Sequence, residues 1–210
     1  MLKLKTNKLY YGKFPYKIGI ETRGASLLSV YGIKRLLVLL RTRRVPAWAN
    51  CDETSLHAVA SYVVDIPNPI KTRVEGSCLN VYFQEQVDYD KFIKRFEPFI
   101  VLCSEPENEQ ELKFLQENTK KVICNKLPRN KFKYKAFFKM MPVKDGDTLV
   151  KWADVNSKVF LNKGPRDSLK LRTFPNAYLL VEDKPTLTML SLIAGTYISR
   201  VEEYVVRTEV

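Results

Sequence analysis

The sequence predicts an α+β fold: an antiparallel or mixed sheet with helices on one face. Three observations carry that expectation. Several short segments alternate apolar and polar residues with period two, others place apolar residues every three or four positions, and the two kinds follow one another along the chain. At 45% hydrophobic and 28% charged, the 210 residues have globular composition, away from the low-hydrophobicity regime of disorder. That length suits one large domain or two small ones.

Met1-Leu2-Lys3-Leu4-Lys5 alternates apolar with basic and reads as a strand. It lacks the continuous apolar stretch of a signal peptide. Leu9 to Glu21 reads as two strands around a turn at Gly12-Lys13-Phe14-Pro15, with Tyr16, Ile18 and Ile20 on one face. Ser26 to Leu40 reads as a helix, or as a helix ending near Gly32 and a buried strand from Arg35 to Leu40, because a short apolar run supports either. Spacing is mixed from Ser55 to Ile66, and Pro67-Asn68-Pro69 marks a boundary.

Arg73 to Phe83 is strand-like, Asp88 to Phe99 has helical spacing through Phe92, Phe96 and Phe99, and Ile100 to Cys103 is a short strand. This strand, helix, strand succession predicts a ferredoxin-like (split βαβ) segment from Ile70 to Pro142. A helix beginning at Ser104 or Glu105 follows, with Pro106 near its start and Glu107, Glu109 and Glu111 at its positive end. Val122-Ile123-Cys124 returns as a strand, Leu127 to Asn130 turns the chain, and Lys131 to Met140 is another strand.

Ala177 to Asp183 reads as a buried strand leading into a helix near Pro185, whose stripe is Leu187, Leu190, Ala194, Tyr197, Val201 and Tyr204. No internal repeat shows in the sequence. The expected organisation is a basic hairpin and helix region (1–69), a ferredoxin-like core (70–142) and a strand and helix region (143–210), packed as separate parts or as one compact domain.

Charge suggests the partner. Eleven of the first fifty residues are Lys or Arg and one, Glu21, is acidic, so this stretch holds +10 of the net +12. A field of one sign concentrates opposite charge and disfavours the compact state by self-repulsion. Lys3, Lys5, Lys13 and the Arg41, Arg43, Arg44 cluster are its phosphate-binding candidates. A second run, Lys120 to Lys139, has eight bases and no acid. There Arg129 and the row Lys131, Lys133, Lys135 and Lys139 are candidates, on the strand face opposite Phe132, Tyr134, Ala136 and Phe138. The competing reading is an edge strand guarded by lysines. Tyr10, Tyr11, Phe14 and Tyr82 are the candidate stacking residues.

Catalytic signals are sparse. His57 is the sole histidine and lies in an amphipathic stretch, the phosphate-cradling glycine motifs are absent, and Asp65, Glu75 and Glu85 are scattered acids. Cys51, Cys78, Cys103 and Cys124 are too far apart for a zinc motif and read as free thiols of a reducing compartment. The core after Arg73 resembles the split βαβ arrangement of RNA-recognition domains and of rolling-circle replication initiators. The initiators use a helix tyrosine, for which Tyr197 or Tyr204 would serve, and a histidine pair, which this chain lacks. The aromatic signature of the RNA-recognition domains is absent too.

The expectation is therefore a soluble, intracellular, non-catalytic nucleic-acid-binding protein that contacts phosphates with Lys and Arg, with weak sequence preference and without metal or cofactor. The first alternative is a structural or assembly protein of a larger particle, viral ones included, whose basic face meets an acidic protein or packaged nucleic acid. The second is a nucleic-acid-processing enzyme such as an initiator without the histidine pair.

Overall fold

The computed structural model describes residues 1–46, 51–164, 166–167 and 177–210. The chain is α+β, with two mixed five-stranded sheets and, among the described residues, seven α-helices. It divides into two compact units, Met1–Thr119 and Lys120–Val210. The strands between Ile70 and Phe138 are shared between the two sheets, so the expected 70–142 segment is not one unit. Pro67-Asn68-Pro69 is a loop inside the first.

The first sheet has the order β1-β5-β2-β4-β3, from β1 (Leu2–Lys5), β2 (Tyr16–Glu21), β3 (Ile70–Glu75), β4 (Cys78–Phe83) and β5 (Ile100–Glu105). One face, carrying Tyr16, Ile18, Ile20, Leu79, Val81 and Phe83, packs with α1 (Ser26–Tyr31), α2 (Ile33–Arg41), α3 (Glu53–Asp65) and α4 (Gln86–Phe96). The single helix expected over 26–40 is two, because Gly32 at φ +70° breaks the hydrogen-bond ladder. The mixed stretch after Ser55 is α3, capped by Asp52, which accepts from Ser55 N. The turn after Tyr10 closes as a Tyr10–Phe14 bridge, but β2 takes β4 and β5 as partners rather than a hairpin mate. α5 (Glu109–Glu117) starts later than expected. Ser104 and Glu105 are held in the β1 ladder, and Asn108 Oδ1 accepts from Glu111 N at 2.9 Å.

The second sheet has the order β6-β10-β7-β9-β8, from β6 (Lys121–Cys124), β7 (Tyr134–Phe138), β8 (Val159–Phe160), β9 (Tyr178–Val181) and β10 (Ile198–Val206). Ala136, Phe138, Leu179 and Val181 pack with α6 (Val143–Val155) and α7 (Lys184–Ala194). The long C-terminal helix is a misreading. α7 stops at Ala194, a 3-10 turn covers Gly195–Tyr197, and Val201 and Tyr204 lie on β10. Their three-residue step mimics a helix, yet on a strand it puts the two side chains on opposite faces.

The two units share one strand order and one set of strand directions. In each, the first strand runs parallel to the last, and all other neighbours are antiparallel. Val81 to Glu105 corresponds to Leu179 to Glu203 without a gap: strand end, 11-residue helix, 3-10 turn, strand. The bulges correspond as well. Val101 is skipped between Ile100 and Leu102 opposite β2, and Ser199 between Ile198 and Arg200 opposite β7. The repeat that the sequence hides is thus present in the fold. The units differ between their second and third strands, where the first places α1, α2 and α3.

Candidate nucleic-acid interface

In the second unit β7 is central, flanked by β9 and β10, so the guarded-edge reading of its lysines falls. The lysine row is also broken up by acids from other strands. Lys131 donates to Ser157 O at 2.9 Å and pairs with Glu182 at 3.1 Å, and Lys133 pairs with Glu203 at 3.5 Å. Lys139 is exposed beyond the strand end. Lys135 lies within β7 itself, on the sheet face opposite α6 and α7 and directly across from Glu202 of β10.

Two cross-strand rows build that face: Arg200, Phe137, Tyr178, and beside it Glu202, Lys135, Leu180, Phe160. The Arg200 guanidinium lies 3.8 Å from the centre of the Phe137 ring, and the Lys135 ammonium 4.0 Å from that of Tyr178. Arg129 reaches the same surface, 3.9 Å from the centre of Phe160. Such contacts contribute ~0.5–1 kcal/mol each at exposed sites. The rings hold the cations in place and themselves remove no charge. Arg200 pairs with Glu202 at 3.5 Å and is 56% exposed, a surface pair worth ~0–1 kcal/mol that a phosphate can displace. Phe137, Phe160, Tyr178 and Arg200 escape sequence reading, because only strand register brings them to Lys135.

The first unit has a corresponding cluster. Lys17, Tyr82 and Lys71 form one cross-strand row on the face away from α1–α4, with Arg73 in the row beside it. Tyr10 and Tyr11 lie on Tyr82 with ring centres 5.2 and 5.0 Å away, and Lys71 is 3.8 Å from the Tyr11 ring centre. The structure separates the four stacking candidates. Tyr11 is 44% exposed, and Tyr10, half-buried, donates to Ser104 Oγ at 2.9 Å. Phe14 and Tyr82 are buried, at 7% and 3% exposed, and offer no free ring face. Burial, then the hydrogen bond with Tyr11, raises the Tyr82 phenol.

Lys3 and Lys5 lie exposed on the edge strand β1, Lys5 paired with Glu107, and Lys13 is exposed in the turn after Tyr10. Arg41, Arg43 and Arg44 are exposed around the end of α2. Arg44 N donates to Leu39 O at 2.9 Å and Arg43 N to Leu40 O at 3.2 Å, the Schellman ending of a helix. It puts Arg43 at φ +51°, where glycine is preferred. Besides Arg43, the non-glycine residues with positive φ are Tyr11, Arg129 and Asn130, among the described residues. Asparagine tolerates that region; tyrosine and arginine are strained there, and such strain concentrates at functional sites.

Catalytic arrangements fare less well. A cleft of about 320 Å³ lined by Tyr16, Gln86, Glu105, Glu107 and Glu109 gathers acids, but Glu107 is paired with Lys5 and Glu109 sits at the positive end of α5. Among the described residues no group of three or more His, Cys, Asp and Glu is placed to hold a metal ion. Tyr197 donates to Asp145 at 2.6 Å, which raises its phenol, and burial pushes Tyr204 up to about 12. All four cysteines are free thiols, and no described helix is long and apolar enough to cross a membrane. Neither a family model nor a curated protein matches the chain.

Proposed function

We propose that this protein binds nucleic acid without catalysis, through phosphate contacts made by the second unit. The carrying observation is the surface on which Arg129, Lys135 and Arg200 lie across Phe160, Tyr178 and Phe137. Cations held over rings meet phosphates while the half-buried Tyr178 and Phe160 meet bases and Phe137, 7% exposed, supports Arg200 from beneath, the combination used where single strands are bound with little sequence preference. The charge balance supports the same unit. Residues 120–210 hold 18 Lys and Arg against 9 Asp and Glu, a net +9, whereas 1–119 hold 17 against 14, a net +3. The order β5-β2-β4-β3, joined as strand, helices, strand, strand, helix, strand, supports a ferredoxin-like reading of each unit in place of one at 70–142.

Changing Lys135 and Arg200 together to Gln tests the site. Affinity for a mixed-sequence oligonucleotide falls, while stability moves by no more than ~1–2 kcal/mol, the worth of the lost cation and ring contacts. Unchanged affinity in a folded variant places the site elsewhere. A second reading, an assembly protein with a basic face, gains support from the exposed apolar residues Met189, Leu192 and Ile193 on α7.

A further inference from the structure

We propose that the outer face of α7 is the surface through which two copies of this chain associate. This association is independent of what the basic face binds. α4 and α7 occupy the same place in two units of one topology and share a pattern of exposure that differs only at Tyr89 against Leu187 and Ile93 against Ser191. At three positions exposed in both helices, Lys91, Lys94 and Arg95 of α4 stand where α7 has Met189, Leu192 and Ile193. Those three are 52%, 83% and 41% exposed. Single exposed apolar residues are ordinary on a protein surface. Three on one helix, at positions that the equivalent helix fills with cations, are not explained by the fold.

Charge identifies the occupant. From Pro185 to Tyr197 no residue is charged, inside a unit of net +9. A twofold contact places a patch against itself, so a basic patch meets its own charge, whereas an uncharged apolar patch is complementary to itself. On the α7 face two such units can touch without bringing like charges together. An 11-residue helix is about 16 Å long, which limits the contact to a small interface and the dimer to a reversible one.

The test is sedimentation velocity on the full chain from about 1 to about 100 µM, the range in which a small interface populates its dimer. It compares the wild type with Leu192→Lys and with a triple variant, Met189→Lys, Leu192→Lys and Ile193→Arg, which installs the α4 residues. Lys94→Ala on α4 is the control. The expected result is concentration-dependent dimer in the wild type and the control, weakened about tenfold or more in both α7 variants with unchanged melting. If the triple variant melts early, Leu192→Lys decides alone, since its site is 83% exposed. A wild type that stays monomeric overturns the proposal, as does a dimer that survives Leu192→Lys. A monomer that floats with phosphatidylcholine vesicles also overturns it and assigns the face to lipid.

Discussion

The two units use one strand order to build unlike surfaces. At corresponding sheet positions the first has Lys17, Gly19 and Asn80, and the second has Lys135, Phe137 and Tyr178. Only the lysine is common. A Cβ on Gly19 would meet Cys78 Sγ at 3.1 Å and Leu102 Cβ at 3.3 Å, so a side chain at the place of the ring that carries Arg200 in the second sheet would crowd its neighbours in the first. The helices diverge likewise, α4 charged and α7 apolar on the outside. A repeated topology settles where the core lies and leaves the rest of the surface free to differ, so function has to be argued unit by unit.

The comparison breaks first, and hardest, in the cores. Phe92 and Leu190 are equivalent and both 0% exposed. Phe92→Ala costs ~3–5 kcal/mol and Leu190→Ala ~2–5 kcal/mol; denaturant unfolding that shows either substitution to be neutral would refute the equivalence. A smaller effect sharpens it. Arg43→Gly relieves a left-handed backbone and stabilises by ~1 kcal/mol. Arg129→Gly relieves the same strain but loses the contact with Phe160, worth ~0.5–1 kcal/mol, and leaves stability nearly unchanged. Both variants bind nucleic acid more weakly if the strained arginines serve binding. Affinity equal to wild type in both would remove that meaning from the strain.

The smallest effect concerns acid. Asp183 caps α7 by accepting from Thr186 N at 2.9 Å, and its pairing with Lys158 first, then its bonds to Thr186, lower its carboxyl from 3.8 to about 2. A folded-state value below the unfolded one gives stability that is full above pH 4 and is lost as pH falls toward 2. Glu85, its counterpart before α4, makes no capping hydrogen bond. Asp183→Asn keeps an acceptor and flattens the loss of melting temperature across that window.

Local signals read well in the sequence. The alternation in β1 and β2, the Phe92 and Phe96 spacing of α4 and the turn at Leu127–Asn130 all matched what folded. Pairing between distant segments was not legible. The first fifty residues carry +10, yet folding joins them to an acidic 51–119 and leaves that unit at +3. The acid-free run at Lys120–Lys139 likewise meets Glu182 and Glu203, which come from other strands. The repeat is not legible in the sequence because the units keep burial and register rather than residues. Of Tyr16 to Ile20 and Tyr134 to Phe138, only Tyr-Lys at the start is shared. Arg200 was invisible as a site residue while its segment read as helix.

The proposed function rests on Lys and Arg of the second unit neutralising phosphates. Its most direct measurement is the affinity for mixed-sequence DNA and RNA oligonucleotides as a function of salt, in the wild type and in Lys135→Gln with Arg200→Gln. For about six phosphate contacts the expected slope of log K against log salt is near −4 to −5, and it is shallower by about 1.5 in the double variant, at ~0.7–0.9 per contact. No binding to either nucleic acid at low salt, or a slope that the double variant leaves unchanged, would contradict it.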